Sequence, residues 1–496
     1  MGKYIVSIDQ GTSGTKVMLF DEQGMLVQRH NEAHRQFYPH PGWVEHDAME
    51  IFNQTVTAID AVIAHAKVNS NEIQAVAIAN QRETVVVWDK TTGLPLCPAV
   101  VWQCNRATDI CDELLRQGYG DMVMEKTGLV LSPYYSAAKV KWILDNVAGA
   151  REKAERGELL FGTIDSWLTY KLTGGSVHAT DYSNASRTQL YNITKLCWDE
   201  ELLKLFTIPF SMAPEVCSSN HRFGEMAVTC LAGRHIPVAG IMGDSHAALF
   251  GQNCFECGMT KVTYGTGSSI MMNIGNRPYL SKKGLVTSIG WGIDGAVEYV
   301  AEGNINCSGA SIKWLVDDLQ LIGDSKCTEE IALSIPSSEG VYLVPAFVGL
   351  GTPYWDSEAT ALITGMTRGT KKAHVVRAVL ESMGYQVKDI LDIMTYEADV
   401  PLKEIRVDGG PTRNRFIMQF QSDILQSSVI VNQLEEICAL GSAYMAGLAV
   451  GLWKSKDELK ALRKNDVCFT PQMPTSEKDT LYSGWKKAVA RALMKS

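Results

Sequence analysis

The sequence lacks the features that would place the protein in a membrane or on nucleic acid. Its longest stretch without a charged side chain runs from Ile437 to Trp453 and contains three glycines, whereas a membrane-spanning helix needs about 20 apolar residues. Positive charge is in deficit, with 46 Lys and Arg against 55 Asp and Glu and a formal net charge of −9. This charge balance gives no indication of a basic surface that would bind nucleic acid. We expect a cytoplasmic protein that binds neither membranes nor nucleic acid.

Common nucleotide signatures are also missing. No GxxxxGK[ST] segment occurs, which excludes a P-loop of that kind. One GxGxxG spans Gly290–Gly295, but the residues after it read as a strand, and a dinucleotide site needs a helix there. The twelve cysteines are scattered, and the one close pair, Cys254 and Cys257, has no second pair to complete a zinc site. We therefore expect free thiols.

What the sequence does contain is a repeated strand–turn–strand pattern. Tyr4–Ile8 and Val17–Phe20 flank a turn rich in Gly, Thr and Ser, and a similar turn lies between Met259–Tyr264 and Ile270–Ile274. Each pattern predicts a β-hairpin with a glycine-rich tip. Because the two hairpins are about half a chain apart, we predict a duplicated architecture with an N-terminal domain over 1–253 and a C-terminal domain over 254–496.

Helical periodicity alternates with short apolar strands along the chain. The spacing of apolar residues predicts helices over 47–67, 105–117, 138–146 and 373–392, and strands over 74–79 and 84–88. With 496 residues and 46% hydrophobic content, the chain is long enough for two to four domains of about 100–200 residues. This alternation indicates the α/β class. No low-complexity linker separates the halves, so we expect them to share an interface and a cleft.

The hairpin tips are candidate phosphate sites. Successive N–H groups in a Gly/Ser/Thr turn form a concave anion nest, the hydroxyls of Thr12, Ser13 and Thr266 add donors, and Lys16 adds a charge. Two ordinary tight turns are the alternative interpretation. A third segment, Arg406–Phe420, predicts a strand, a Gly-Gly turn and a helix. There the glycines would let a base or ribose approach closely, while Asn414 would either read an adenine edge or cap the helix.

Segments spread over the whole chain carry a resemblance to a known family: Pro41–Asp47, Asn80–Thr84, Val101–Cys104, Tyr134–Asn146, Gly243–Gln252, Thr263–Gly267, Ala361–Glu381 and Tyr482–Ala488. They resemble the FGGY-type carbohydrate kinases, and among these the glycerol kinases. The resemblance implies two actin-like (ribonuclease H-like) domains with a nucleotide cleft between them. It also implies ATP and Mg²⁺ in that cleft.

The resemblance assigns roles residue by residue. Asp9 would position the magnesium ion through water. Asp244 would accept the proton of the attacking hydroxyl. The phosphates of ATP would contact Thr12, Ser13, Gly14 and Lys16 from the first domain and Thr266 and Gly309 from the second. Gly410 and Asn414 would hold the adenosine, and Lys313 is a further candidate for nucleotide binding. The glycerol-contacting positions are Arg82, Glu83, Trp102, Tyr134 and Asp244, and Ser245 and Ser269 are further candidates for substrate binding.

These roles are chemically coherent. Phosphoryl transfer depends mostly on positioning and charge neutralisation, so donors, a metal ion and a local carboxylate are the parts required. Arg82 and Glu83 can grip vicinal hydroxyls, and the Trp102 indole would lie against the carbon backbone of the substrate. Without the resemblance, an adjacent Arg-Glu is usually a surface pair and a Trp is usually part of the core.

The sequence departs from the glycerol kinase pattern at several positions. Ser245 and His246 follow Asp244 where Gln-Gln is usual, Ser269 replaces a Phe that walls the substrate, and Lys313 and Asn105 stand where Gln and Arg are usual. Exchanging Phe for Ser leaves room and hydrogen-bonding capacity, which a longer or more hydroxylated substrate would use. For His246 we expect a hydrogen bond to the substrate or a structural role.

We therefore predict ATP-dependent phosphorylation of a primary hydroxyl of a small polyol, with glycerol to glycerol 3-phosphate favoured. The alternative substrates are four- or five-carbon polyols or ketoses such as erythritol, threitol, erythrulose or xylulose. A non-catalytic actin-like ATPase is the different-class alternative, but it would have no reason to bring Arg82, Glu83, Trp102, Tyr134 and Asp244 together in the cleft. We also expect a homo-oligomer, either a dimer or a tetramer.

Overall fold

The computed structural model describes residues 2–434, 436–463 and 466–494. The strands of the first half are β1 (Tyr4–Gln10), β2 (Gly14–Asp21), β3 (Leu26–Ala33), β4 (Gln36–Phe37), β5 (Glu45–His46), β6 (Ile73–Asn80), β7 (Val85–Asp89), β8 (Ala99–Val100), β9 (Leu159–Thr163), β10 (Ala179–Asp181), β11 (Tyr191–Asn192), β12 (Cys197–Trp198), β13 (Glu215–Cys217), β14 (Arg222–Glu225) and β15 (Pro237–Gly243). The helices of the first half are α1 (Ala48–Ala66), α2 (Thr108–Arg116), α3 (Gly120–Thr127), α4 (Ser136–Asn146), α5 (Ala150–Glu155), α6 (Ile164–Leu172), α7 (Tyr182–Ala185), α8 (Glu200–Leu205) and α9 (Asp244–Gly251).

The second half has fewer and longer elements. Its strands are β16 (Met259–Tyr264), β17 (Ser268–Gly275), β18 (Val286–Ile293), β19 (Ala296–Ile305), β20 (Tyr342–Val344), β21 (Leu362–Thr364), β22 (Glu404–Gly409), β23 (Val429–Val431) and β24 (Val467–Phe469). Its helices are α10 (Gly309–Asp317), α11 (Thr328–Leu333), α12 (Lys372–Ala398), α13 (Arg415–Leu425), α14 (Ile437–Val450), α15 (Lys456–Ala461) and α16 (Thr475–Ala492). Among the described residues, none of the helices combines the length and apolar character that crossing a membrane requires.

The predicted helices and strands are present, and their ends have local causes. The helix predicted over 47–67 is α1, whose first turn is capped by the Asp47 carboxylate, which accepts the N–H groups of Met49 (2.8 Å) and Glu50 (3.1 Å). It ends at Lys67, which has a left-handed backbone conformation. The GxGxxG segment forms the end of β18 and the turn to β19, and it opens no helix.

The duplication predicted from the two hairpins is visible in the sheets. A six-stranded sheet has the order β14-β15-β6-β1-β2-β3, and a seven-stranded sheet has the order β18-β19-β17-β16-β22-β23-β24. In both, a hairpin (β1–β2 or β16–β17) gains an antiparallel strand on one side and two parallel strands on the other. A five-stranded sheet, β4-β5-β8-β7-β9, is an addition of the first half.

The two halves meet through helices that approach very closely. A Cβ atom on Gly441 of α14 would lie 1.8 Å from the carbonyl oxygen of Ala247 in α9, so only glycine fits at this position. The small side chains of Ala75 and Ala77 in β6 share one buried apolar cluster with Ala443 of α14. This contact fixes the start of α9, where Asp244 lies, against the second half. The boundary at 253/254 remains a prediction.

Candidate functional site

The two predicted phosphate loops are tight turns between paired strands. In the first turn, the Gly11 N–H donates to the Gly14 carbonyl at 2.9 Å, and in the second the Gly265 N–H donates to the Gly267 carbonyl at 2.8 Å. The backbone thus satisfies some of its own polar groups within each turn. The sequence context that predicted them, glycine between β-strands, is the context in which they form.

A cleft of about 500 Å³ opens beside the first turn and is lined by both halves of the chain. It brings together seven of the residues predicted to act in the site: Asp9, Ser13, Gly14, Lys16, Asp244, Ser245 and Ser269. Lys261, Thr263 and Cys438 also line it, although they were not predicted. The cleft therefore places a carboxylate at the start of α9 opposite a strand of the second half.

Asp244 is held by a neighbouring arginine. The Nε of Arg82 lies 3.1 Å from Oδ1 of Asp244, and the Ser245 N–H donates to the same oxygen at 2.6 Å. The Asp244 side chain is 39% exposed, whereas that of Arg82 is 7% exposed. A buried guanidinium thus orients a carboxylate that still faces the cleft.

Arg82 also belongs to a buried network of four charges. Its Nη1 and Nη2 each donate to one oxygen of Glu302, both at 3.0 Å, and Arg187 donates to Glu302 (3.0 Å) and to Glu83 (2.5 Å). Although burial opposes it, Arg82 and Arg187 hold the pKa of Glu302 well below its ordinary value. Burial raises the pKa of Glu83, and the two arginines only partly offset that effect. The network joins Glu302 of β19 in the second half to three residues of the first.

Trp102 and Tyr134 pack against each other next to the first loop, and neither residue lines the cleft. The Trp102 Nε1 donates to the Thr12 hydroxyl at 2.9 Å, and the rings of Trp102 and Tyr134 meet edge to face at 5.5 Å. Burial raises the pKa of the Tyr134 phenol well above its ordinary value, so this hydroxyl stays protonated. The Thr12 hydroxyl accepts the indole N–H, and Thr12 does not line the cleft.

The remaining predicted nucleotide residues line a second, larger cavity. This cavity of about 1030 Å³ is lined by Thr266, Gly309, Lys313, Gly410 and Asn414, among others. Two successive residues of β16 line the two spaces: Thr263 lines the cleft and Tyr264 lines the cavity. The residues predicted to bind ATP therefore line two neighbouring spaces. The two glycine-rich turns do not line a common pocket.

Two of these residues are already engaged by the protein. The Gly309 N–H donates to the Gly265 carbonyl at 3.0 Å, and a Cβ atom at Gly309 would lie 2.5 Å from that oxygen. Asn414 caps α13, since its Oδ1 accepts the Ile417 N–H at 3.1 Å, and its Nδ2 donates to Thr328 at 3.1 Å. Of the two readings left open for Asn414, the capping role is the one observed. The Lys313 side chain is largely exposed, with Asp317 3.7 Å away.

Asp9 faces the cleft with its charge poorly compensated. Burial, and then the charge of Asp244, raise the pKa of Asp9 from 3.8 to about 6. The Cys438 thiol donates to Oδ1 of Asp9 at 3.4 Å. Asp9 and Asp244 both line the cleft, and carboxylate oxygens are ligands suited to a hydrated divalent cation. The residues present therefore fit a Mg²⁺ ion.

Lys16 has a protein partner in this structure. Its Nζ donates to Glu436 at 2.9 Å, and Glu436 lies in the second half, directly before α14. Phosphate oxygens that bind Lys16 must therefore compete with this carboxylate. Neither Glu436 nor the network residues Arg187 and Glu302 were predicted from the sequence.

His246 points away from the cleft. It is fully buried, and its Nε2 lies 3.0 Å from the Ser288 hydroxyl of β18. Burial, and then the charge of Arg82, lower the pKa of His246 well below its ordinary value, so the ring is neutral. Of the two expectations for this residue, the structural role is the one that its position supports.

Comparisons with known proteins match the whole length of the chain. A model of the FGGY family of carbohydrate kinases, N-terminal domain, matches residues 4–251, and the corresponding C-terminal domain model matches residues 260–450. Glycerol kinase 2 of Thermotoga maritima is 51% identical over 99% of both chains, and the glycerol kinase of Bacillus subtilis is 50% identical over 99% of both.

Solved structures agree with these matches. The crystal structure of Plasmodium falciparum glycerol kinase with ADP superposes with a TM-score of 0.95 at 36% identity, covering 100% of this chain and 99% of that one. A ligand-bound xylulose kinase from Lactobacillus acidophilus has a TM-score of 0.89 at 20% identity, covering 99% and 97%. The second likeness shows the shared fold alone. The predicted α/β fold of two actin-like (ribonuclease H-like) domains is confirmed.

Proposed function

Because the chain belongs to the FGGY family of carbohydrate kinases, we propose that it transfers the terminal phosphoryl group of ATP to a primary hydroxyl of glycerol, giving glycerol 3-phosphate. The observation that carries this proposal is the placement of Asp244. Its carboxylate faces a cleft shared with the first phosphate loop and is oriented by Arg82 at 3.1 Å.

Asp244 acts as the proton acceptor in this scheme. The substrate hydroxyl attacks the terminal phosphorus, the bond from that phosphorus to the bridging oxygen of ADP breaks, and the hydroxyl proton passes to Asp244. Arg82 keeps the carboxylate in position, and Glu302 keeps Arg82 in position from the other side. Positioning of this kind supplies much of the rate gain in phosphoryl transfer.

The nucleotide spans the two adjacent spaces. Ser13, Gly14 and Lys16 receive the outer phosphates in the cleft, while Thr266 and the surface formed by Gly309, Lys313, Gly410 and Asn414 receive the inner phosphates and adenosine. Asn414 acts there by fixing the start of α13, since its side chain is committed to the cap. Asp9 would hold Mg²⁺ through water, and the ion when bound would neutralise the phosphate charge.

The substrate hydroxyls are bound by the residues beside Asp244. Arg82 and Glu83 supply a donor and an acceptor, and Trp102 and Tyr134 supply an apolar wall with one phenol. Ser245 and Ser269 complete the polar side of the cleft. One observation favours a second substrate class: Ser269 adds a hydroxyl where a bulkier side chain would fill space. Four- or five-carbon polyols or ketoses are therefore the alternative substrates.

The test is a coupled assay of ADP release with glycerol, dihydroxyacetone, erythritol, threitol, erythrulose, ribitol and xylulose. We expect ADP release to require Mg²⁺ and to be fastest with glycerol. A higher kcat/KM for a longer substrate would assign the enzyme to the second class. ATP turnover that none of these compounds changes would contradict the kinase proposal and favour an ATPase.

The role of Asp244 is tested by Asp244→Asn. Loss of a general base costs about 10²–10⁴-fold in kcat, while ADP affinity measured by calorimetry should stay within about twofold because the nucleotide surface is intact. The matched control is Asp294→Asn, at an exposed turn where the carboxylate accepts a bond from Asn220 (2.9 Å). Near-normal kcat in Asp244→Asn would exclude this residue as the proton acceptor.

A further inference from the structure

One buried cation in the cleft has no role in the scheme above. Lys261 lies on β16, and the antiparallel register pairs it with Met271 and pairs Thr263 with Ser269. Alternate residues of a strand share a face, so Lys261, Thr263 and Ser269 all line the cleft that contains Asp244. The ammonium group therefore belongs to the wall that faces the proposed proton acceptor.

The contacts of Lys261 leave most of its hydrogen-bonding capacity unused. The residue is 1% exposed, and its Nζ makes one long contact, 3.4 Å to the Ser269 hydroxyl. Within 2–434, 436–463 and 466–494, no carboxylate lies within ion-pairing distance, 4 Å, of this nitrogen. Burying a charge is costly unless it is paired and hydrogen-bonded, so the cleft contains an ammonium that the protein itself does not satisfy.

A second buried lysine shows how the fold satisfies an ammonium when it serves structure. Lys139 is fully buried, and its Nζ donates to three backbone carbonyls, those of Pro133 (2.6 Å), Tyr134 (2.5 Å) and Tyr135 (3.1 Å). All three protons of that group therefore have partners. The contrast indicates that Lys261 is retained for a partner that arrives from outside the protein.

The charges around Lys261 fit an anion between the two walls of the cleft. Burial lowers the pKa of Lys261, and the positive charge of Arg82 lowers it further. Three carboxylates beyond contact distance act in the opposite direction: those of Asp408, Glu302 and Asp244. An anion close to Nζ would restore the balance in favour of the charged form. Phosphoryl transfer places negative charge on the three equatorial oxygens of the group in transit.

We propose that Lys261 is a further catalytic residue, which binds an equatorial oxygen of the terminal phosphoryl group as it passes from ATP to the substrate hydroxyl. This inference rests on the proposed function. Lys261 forms no covalent bond: the bond from phosphorus to the ADP oxygen breaks, the bond to the substrate oxygen forms, and the proton goes to Asp244. Its ammonium neutralises the negative charge on the equatorial oxygens during transfer.

The test compares Lys261→Met and Lys261→Arg in steady-state kinetics. Removal of a charge that acts in the transition state should lower kcat by about 100-fold and change the KM values for ATP and polyol by less than about threefold. Lys261→Arg, which keeps the charge, should recover part of that loss. The matched control is Lys388→Met, on α12, where the lysine pairs with Asp392 at 2.8 Å outside the cleft.

A binding measurement gives a second readout. Calorimetry with ADP and Mg²⁺, with and without aluminium fluoride as a mimic of the phosphoryl group in transit, should show tighter binding with aluminium fluoride in the wild type. Lys261→Met should bind ADP equally well but lose that gain. If Lys261→Met fails to fold, Lys261→Gln, which keeps a donor without the charge, takes its place in both measurements.

Two outcomes would overturn the inference. An unchanged kcat with a raised polyol KM would make Lys261 a substrate-binding residue, and unchanged kinetics together with an unchanged aluminium fluoride gain would leave it without a role in transfer. Failure of the proposed function is seen separately, as wild-type protein that phosphorylates none of the polyols. In that case the aluminium fluoride titration, which needs no polyol, still decides whether Lys261 binds the phosphoryl group.

Discussion

Replacing Asp9 by Asn is expected to stabilise the ligand-free protein near neutral pH. Burial and Asp244 raise the pKa of Asp9 from 3.8 to about 6, which means that ionised Asp9 costs the folded state free energy. At 1.36 kcal/mol for each tenfold change in proton affinity, the cost is at most about 3 kcal/mol. Since the side chain is partly accessible from the cleft, we expect about 2 kcal/mol. Asn keeps an oxygen that can accept the Cys438 thiol.

The sign of the pH dependence follows from the raised pKa. The cost is fully present above about pH 6, where Asp9 is ionised in both states, and it fades as the pH falls towards the unfolded value of 3.8. The gain from Asp9→Asn should therefore be largest at about pH 8 and about half as large at pH 5. For a domain of about 250 residues that unfolds cooperatively, a gain of about 2 kcal/mol in the free energy of unfolding corresponds to a rise of roughly 4–8 °C in Tm.

The assay is thermal unfolding of wild type and Asp9→Asn at both pH values, without nucleotide and then with ADP and Mg²⁺. We expect the variant to melt higher without ligand and to gain less from Mg²⁺ with ADP than the wild type does. Asp21→Asn is the control, because its side chain accepts two backbone N–H groups at an exposed turn and an amide oxygen can still do so. A gain of equal size at both pH values, or no gain at pH 8, would refute the electrostatic reasoning.

Two further substitutions probe the substrate side of the cleft. Glu302→Gln leaves Arg82 and Arg187 without their shared carboxylate, so the free energy of unfolding measured in urea should fall by about 3–5 kcal/mol and the polyol KM should rise. The control is Glu256→Gln at an exposed position, which should lower the free energy of unfolding by less than about 1 kcal/mol. An equal loss in both variants would contradict a special role for the network. Ser269→Phe should raise the ratio of kcat/KM for glycerol over that for erythritol, because an aromatic ring fills the space beside Lys261; an unchanged ratio would remove the support for a longer substrate.

Local structure could be predicted well from the sequence. The caps of α1 and both glycine-rich hairpins depend on residues close together in the chain. The helix over 47–67 and the turns at Gly11 and Gly265 could therefore be predicted without knowledge of the tertiary structure. The repeated sheet order then follows from the two hairpins and the strands parallel to them. Asp244 was identified through the family resemblance; it lines the cleft, and its catalytic role stays a prediction.

The partners of the site residues could not be predicted in the same way. Glu302 lies within a strand between buried small residues, and Arg187 follows a short helix without a periodic pattern. Glu302 contacts Arg82 and Arg187, which are each more than a hundred residues away, so these contacts depend on how the halves dock. A signal was present: a carboxylate in a buried strand needs a cationic partner. The sequence alone did not say which arginine that would be.

The guanidinium of Arg82 touches carboxylates from both halves of the chain, Asp244 on one side and Glu302 on the other. The polyol pocket is therefore built by both halves, although nearly all the residues proposed to contact the polyol come from the first half. A hybrid enzyme that combined this first half with the second half of a relative lacking a carboxylate at this position would lose the ion pair between Glu302 and Arg82. Glu302 is therefore one strand position of the second half that constrains which halves can be combined.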